Sequence, residues 1–106
     1  MFTVIETHEF VDSAKAVWRD AEREAFIDFI AANPEAGVVI PDTGDLRKVR
    51  WSRAGMGKRG GARVIYFVQN EAGEVVLITA YAKGRIENIP AHLLRALAEK
   101  YRGKKK

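Results

Sequence analysis

The chain lacks the residue types and patterns that mark disulfide-bonded, membrane and secreted proteins. Its 106 residues include no cysteine, which excludes disulfide bonds and thiolate metal sites and is typical of a reducing compartment. No apolar run approaches the length of a membrane span. The first residues, MFTVIETHEF, have neither the basic start nor the apolar core of a signal peptide. We therefore expect a cytoplasmic protein that has no membrane partner.

Motifs for metal, nucleotide and acyl-transfer chemistry are missing as well. The two histidines, His8 and His92, lie far apart and neither has a ligand-like neighbour, so we expect no metal site. GMGKRGG does not have the spacing of a phosphate-binding GxxxxGK(S/T) loop, and the chain has no GxSxG motif. The residues therefore predict neither a metal nor a cofactor.

Acidic residues are missing from one stretch of the chain. Residues 46–66, LRKVRWSRAGMGKRGGARVIY, carry seven Lys or Arg side chains and no Asp or Glu. The imbalance extends further, because residues 1–46 hold ten acidic and three basic side chains, whereas residues 47–106 hold four acidic and fifteen basic ones. A chain this polarised should present a basic face to a partner, and nucleic acid is the commonest such partner.

Hydrophobic periodicity predicts one α+β domain over residues 1–102, followed by a basic tail, 103–106, that we expect to be disordered. The predicted elements are a strand at residues 2–6, a helix that begins at Thr7 or Glu9, a helix capped by Asp20 that ends near Asn33, strands at residues 46–51, 62–68 and 74–81, and a helix over residues 89–102. The order β-α-α-β-β-β-α predicts a small antiparallel sheet with the helices packed on one face.

Three connecting segments complete this prediction. AGMGKRGGA holds four of the nine glycines and predicts a loop between two basic strands. NEAG, residues 70–73, is typical of a hairpin turn in which Gly73 can take a positive φ. Within the turn-rich residues 34–45, we expect residues 38–40 to enter the core.

Together these elements predict a cationic surface that also carries tyrosines. Its predicted members are Lys48, Lys58, Arg59, Arg63, Lys83, Arg85, Tyr66 and Tyr81. Such a surface suits binding of RNA or DNA, and it also suits cleavage of RNA, which carries its own nucleophile in the 2′-OH. Arginines would stabilise the developing phosphorane, and a lysine among other cations has a lowered pKa that favours acid/base work. The residues alone leave binding and cleavage open.

The segments TGDLRKVRWSRAGMGKRGGARVIYFV and LITAYAKGRIENIP resemble the HigB branch of the RelE/ParE toxin superfamily. The pattern of that branch is roughly GTGGLRKxR, then GKGKRGGxRVIYY, then a strand that ends in YxKNE. The resemblance covers essentially the whole chain, and KRGGARVIYF is its most specific part. It implies the toxin of a type II toxin–antitoxin system, a metal-independent endoribonuclease that enters the ribosomal A site and cuts mRNA during translation. It also implies three partners: mRNA, the ribosome and a cognate antitoxin of the helix-turn-helix type.

The resemblance also implies roles for particular residues. Arg63 matches the arginine that binds the scissile phosphate, and Lys83 matches the lysine of YxKNE. The implied catalytic residues are Arg63, Lys83, Lys58 and Tyr81, and the implied RNA-binding residues are Arg47, Lys48, Arg50, Arg59 and Arg85. Gly84 and Arg85 replace the Asn-Glu of the pattern, and Pro90 lies near the position of a late tyrosine in RelE proper, so the general acid and base stay open. Because the ParE branch shares the fold and poisons DNA gyrase without nuclease activity, a gyrase inhibitor or a nucleic-acid-binding module is the alternative.

Overall fold

The computed structural model describes residues 1–51, 61–82 and 89–102. Its elements in chain order are β1 (Thr3–Glu6), α1 (His8–Lys15), α2 (Asp20–Ala32), β2 (Val38–Val39), β3 (Arg47–Trp51), β4 (Ala62–Gln69), β5 (Glu74–Ala82) and α3 (Ala91–Glu99). Within these ranges no helix combines the length and the apolar character needed to cross a membrane.

The strands form one sheet in the order β1-β5-β4-β3-β2. Strands β2 to β5 pair antiparallel with their neighbours, as predicted for a meander, whereas β1 joins the outer edge of β5 in parallel. The α+β class and the order of the predicted elements are confirmed. The structure adds β2, a two-residue strand whose Val38 and Val39 pair with Lys48 and Arg47 of β3.

Helices α1 and α2 cover one side of the sheet, which we call the α1–α2 face. The helix α1 begins after Thr7, whose hydroxyl accepts a hydrogen bond from the backbone N–H of Phe10 at 3.1 Å, as is typical of an N-cap. Apolar residues at helical spacing, including Phe10, Phe26 and Ile30, are fully buried against alternate residues of the strands. The cap of α2 is Arg19 and Asp20 is its first residue, one position away from the prediction.

The helix α3 packs on the opposite side of the sheet, which we call the α3 face. Here Leu94 and Ala98 are buried against Leu46, Ile65, Phe67, Val76, Ile78 and Tyr81. The prediction that the helices share one face therefore does not hold for α3. The physical reason lies in β4 and β5, whose apolar residues are continuous rather than alternating and so need a covering layer on both sides.

Two smaller expectations about buried positions are wrong. Val38 is 75% exposed and Val39 is 43% exposed, because β2 lies at the edge of the sheet. Only Ile40 of that segment packs against the core, and it is half-buried. Leu93, which the periodicity places on the apolar side of the last helix, is 52% exposed.

Candidate nucleic-acid interface

Three of the predicted site residues form a row across the sheet on the α3 face. Arg50 of β3 lies directly opposite Arg63 of β4, and Arg63 lies directly opposite Tyr81 of β5. Directly opposite residues have Cβ atoms about 4.5–5.5 Å apart, which is within reach of long side chains. Three residues, one from each of β3, β4 and β5, therefore lie side by side. We call them the basic row: Arg50, Arg63 and Tyr81.

Lys48 extends the positive charge of the basic row along β3. It lies two residues before Arg50 and therefore on the same face of the strand, opposite Ile65. Arg50 is exposed, whereas Lys48 and Arg63 are half-buried and Tyr81 is only 7% exposed. The cations thus face outward at one end of the sheet, while the tyrosine ring belongs to the apolar cluster under α3.

Arg63 carries a buried donor that has no acceptor among the described residues. Its Nη1 atom is buried from solvent, and no described group accepts a hydrogen bond from it. Two other buried nitrogens share this condition in the described ranges, Arg23 Nε and Trp51 Nε1. Arg23 Nε still has Glu6 Oε1 at 3.5 Å, and Trp51 packs on the α1–α2 face. Arg63 is therefore the cation of the basic row with a buried donor that no acceptor among the described residues satisfies.

The register between β4 and β5 places Tyr81 in the basic row through a β-bulge. Regular pairing runs from Gln69 opposite Glu74 to Tyr66 opposite Leu77, and then shifts so that Ile65 lies opposite Thr79. Ile78 is the extra residue. If the same residues paired with β4 without a bulge, strict alternation from the buried Leu77 would place Ala80 opposite Arg63 and turn Tyr81 to the α1–α2 face, so the bulge decides whether Tyr81 stands beside Arg63.

Tyr66 and Arg47 lie away from the basic row, on the α1–α2 side. Tyr66 is fully buried, which corrects its predicted place on the cationic surface. Its hydroxyl donates to Pro34 O and accepts from the Gly37 N–H, both at 2.8 Å, and burial raises its pKa. Arg47, opposite Tyr66, donates to Gly37 O at 2.7 Å. Both side chains hold the segment that leads into β2, so Arg47 has a structural partner that Arg50 and Lys48 do not share in the described ranges.

The far end of α3 is fixed by charged contacts. The Glu9 carboxylate of α1 accepts hydrogen bonds from Lys100 Nζ and from the Tyr101 hydroxyl, which lower its pKa to about 2. Arg102 Nη1 lies 2.9 Å from Asp45 Oδ1, and its guanidinium stacks 4.4 Å from the centre of the Phe67 ring. These contacts hold α3 over the apolar part of its face and leave the cationic end of β3 exposed.

Four predicted site residues lie outside the residues that the structure describes: Lys58, Arg59, Lys83 and Arg85. The described part therefore brings together Lys48, Arg50, Arg63 and Tyr81, and separates Arg47 from them. Sequence reasoning missed the hydroxyls of α1 that contact β5 beside the bulge. A threonine cap and a single serine in a short helix are common features, and no sequence pattern marks them as part of a site.

Comparison with known proteins shows which fold this is. No protein-family model matches the chain. A mutant of E. coli toxin RelE in the free state aligns with 94% of this chain and 97% of its own, at 14% identity and a TM-score of 0.59. The isolated E. coli RelE toxin aligns with 94% of this chain and 99% of its own, at 16% identity and a TM-score of 0.56. A chain of the archaeal RelE–RelB complex from Pyrococcus horikoshii aligns with 80% and 98%, at 22% identity and a TM-score of 0.51.

These structural similarities establish the fold and nothing finer. The chain has the fold of the RelE toxins, nearly over its full length. The identities of 14–22% do not distinguish the branches of the superfamily, so the HigB resemblance stays a prediction from the sequence.

Proposed function

We propose that this protein is the toxin of a type II toxin–antitoxin system and that it cleaves mRNA on the ribosome. The fold of the RelE toxins supports a toxin, and the sequence resemblance to the HigB branch supports a nuclease rather than a gyrase inhibitor. The observation that carries the proposal is Arg63, a half-buried arginine in a row with Arg50 and Tyr81, with a buried donor that has no acceptor within residues 1–51, 61–82 and 89–102.

The chemistry requires little beyond oriented cations. In the proposed reaction the 2′-OH of RNA attacks the adjacent phosphorus, a phosphorane forms and the 5′-oxygen leaves. Arg63 binds the non-bridging oxygens of the scissile phosphate and stabilises their developing charge. Arg50 and Lys48 bind phosphates of the flanking nucleotides along β3. No step in this route requires a metal ion or a cofactor.

Proton transfer is assigned to residues at the end of β5 and in the segment before β4. Lys83 follows Ala82, the last residue of β5, and is our candidate for proton transfer, with Lys58 as the second. Arg59 and Arg85 complete the cations that we assign to RNA binding. Tyr81, which is buried and lies directly opposite Arg63 in the register, is assigned to the wall of the site.

The proposal includes the partners and the location of the protein. One structural neighbour is a RelE–RelB complex, which supports an antitoxin as a partner of this chain. We propose a cognate antitoxin of the helix-turn-helix type, whose acidic side chains cover the basic row. Ribosomes and mRNA are the proposed targets, and the cytoplasm is the proposed location.

Primer extension on a reporter mRNA in a cell-free translation system tests this function. The wild-type protein should produce cuts that require ribosomes, and Arg63→Ala should reduce them by at least about a hundredfold, because an arginine that stabilises transition-state charge contributes on this order. Arg19→Ala is the matched control: it removes the same charge from an exposed position before α2, on the other side of the sheet, and should cut normally.

Two results would count against the proposal. A folded Arg63→Ala variant that cuts as well as the wild type would remove Arg63 from the site. Intact mRNA with a folded wild-type protein, together with RNA binding that weakens steeply as salt rises, would favour a nucleic-acid-binding module instead.

A further inference from the structure

The helix α1 replaces a strand along part of β5. Parallel pairing of β1 with β5 ends at Glu6 and Leu77, and α1 begins two residues later. At that point the Thr7 hydroxyl donates to Leu77 O at 2.7 Å, and beyond it Ser13 Oγ accepts from the Ala80 N–H at 3.0 Å. The hydroxyls of the α1 cap, Thr7, and of Ser13 within α1 thus bond backbone groups of β5 where its parallel neighbour ends.

These two hydroxyls bracket the β-bulge. The extra residue is Ile78, between Leu77, which is held by Thr7, and Thr79, whose hydroxyl lies 3.3 Å from Ser13 Oγ. Ser13 is itself oriented, because its hydroxyl donates to Phe10 O at 3.1 Å. These hydrogen bonds lie on the β1 side of β5, and they hold the backbone of β5 on both sides of the bulge in its pairing with β4.

We propose that Thr7 and Ser13 are positioning residues for the RNA-cleaving site, an inference that rests on the proposed function. They stabilise the bulge, and the bulge turns Tyr81 into the row with Arg63. In a regular ladder Ala80 would lie opposite Arg63, and Tyr81 would lie opposite the fully buried Ala62 on the α1–α2 face. The core of that face therefore controls the geometry of the site on the other face through two hydrogen-bonding side chains.

The test removes the Ser13 hydroxyl and compares matched variants. Ser13→Ala takes away the acceptor of the Ala80 N–H, and Ser13→Thr keeps a hydroxyl at the same position. Thr43→Val is the stability control, because Thr43 is buried and its hydroxyl donates a hydrogen bond to Ile40 O at 2.6 Å, in the segment between β2 and β3. NMR spectra report two quantities that do not depend on activity: the exchange rate of the Ala80 amide and the contact between the Tyr81 ring and the Arg63 side chain.

We expect Ser13→Ala to speed exchange of the Ala80 amide about tenfold or more and to weaken the Tyr81–Arg63 contact. The kcat for mRNA cleavage should fall about tenfold with KM nearly unchanged, because the phosphate-binding cations stay in place. Ser13→Thr should restore all three measurements, and Thr43→Val should leave them at wild-type values.

The outcomes separate this inference from the proposed function. An unchanged Ala80 amide and Tyr81–Arg63 contact in Ser13→Ala would overturn the positioning role, whatever the nuclease does. The same changes in Thr43→Val would overturn it too, because they would reflect stability alone. A wild-type protein that never cuts RNA would overturn the proposed function, even if the NMR changes occur as expected. The bulge would then position Tyr81 without any role in catalysis.

Deletion of Thr79 supplies a second, independent variant. The deletion removes the bulge and lets Ile78 lie opposite Ile65, while Tyr81 stays opposite Arg63 in a regular ladder. In this background Ser13→Ala should no longer release Tyr81 from Arg63. If it still does, Ser13 acts on Tyr81 by another route and the inference is wrong.

Discussion

The two faces of the sheet are built from the same strands and differ in almost every physical property. On the α1–α2 face, five aromatic rings follow one another from Phe10 through Trp18, Phe26 and Phe29 to Trp51, with neighbouring centroids 4.8–6.5 Å apart. On the α3 face, a smaller apolar cluster gives way at one end to the basic row and Lys48. One face is closed by packing, and the other is partly open and charged.

This difference indicates that alternate residues of the same strand have different roles, one set packing in the core and the other carrying exposed charge. In β3, Val49 and Trp51 enter the aromatic core while Lys48 and Arg50 face outward beside them. The cations are therefore held on a strand whose other face is anchored in the core, so they keep their spacing without packing of their own. Substitutions on the two faces should consequently separate stability from activity.

The largest expected effect on stability is on the closed face. Phe26 is fully buried, and its ring contacts those of Trp18, Phe29 and Trp51. Phe26→Ala should lower the free energy of unfolding by about 3–5 kcal/mol, because it removes these contacts and leaves a cavity. Urea denaturation followed by tryptophan fluorescence measures the change.

Arg50→Ala is the matched substitution on the open face. Arg50 is exposed, so the free energy of unfolding should change by no more than about 0.5 kcal/mol. RNA binding should weaken, and the slope of its affinity against salt should fall by about one phosphate contact. A similar loss of stability in both variants would show that the two faces are not separable in this way.

A smaller loss of stability is expected from Tyr66→Phe. The change leaves the Gly37 N–H and Pro34 O without the hydroxyl that bonds both of them, which should lower the free energy of unfolding by about 1–3 kcal/mol. Gly37→Ala should also destabilise, because its Cβ would lie 2.9 Å from the Tyr66 hydroxyl and 3.0 Å from backbone atoms of Lys48. Thermal unfolding of each variant measures the loss.

Tyr101→Phe provides the comparison on the α3 face. Tyr101 is half-buried and its hydroxyl donates to Glu9, which also has Lys100 as a partner. The loss should be below about 1 kcal/mol, since water and Lys100 can satisfy the carboxylate. Equal losses for Tyr66→Phe and Tyr101→Phe would contradict the contrast in burial between the two faces.

Local sequence patterns predicted the positions of the helices and strands well, but they predicted less well which face of the sheet each helix or side chain occupies. Helical spacing located α1 and α2, and the hairpin before β5 has Gly73 at a φ of 69° as expected. Alternation along β4 also separates Arg63 from Tyr66, because residues three positions apart in a strand point to opposite faces of the sheet. That signal was in the sequence, and grouping both residues on one cationic surface overlooked it.

Other features depend on tertiary structure that short patterns do not encode. Tyr81 lies beside Arg63 because a bulge shifts the register of β5 against β4, and the residues beside the bulge are bonded by a helix more than sixty positions away in the chain. The side taken by α3 depends on both faces of β4 and β5 being apolar, which becomes decisive only when the sheet is assembled. Composition was enough to propose a cationic surface. Which residues form the basic row could be decided only from the register of β3, β4 and β5.

The smallest expected effect concerns the acid stability of the α3 face. Hydrogen bonds from Lys100 and Tyr101 lower the pKa of Glu9 from 4.5 to about 2. Because the folded-state pKa lies below the unfolded value, the contribution of Glu9 is fully present above about pH 4.5 and is lost as pH falls toward 2. Glu9→Gln should therefore lower stability at neutral pH and flatten its dependence on pH in this window. Urea denaturation between pH 2 and pH 6 measures both changes.

The location of this effect distinguishes the two faces once more. Glu9 lies in α1 but bonds the residues that follow α3, so Glu9→Gln should speed amide exchange in α3 and leave α2 protected. Glu24→Gln, an exposed acid of α2, is the control for the change in net charge and should retain the wild-type pH dependence. If Glu9→Gln retains it too, the contacts with Lys100 and Tyr101 contribute nothing to stability. If α2 loses protection along with α3, the two faces unfold as one unit and the open face is not held independently of the closed one.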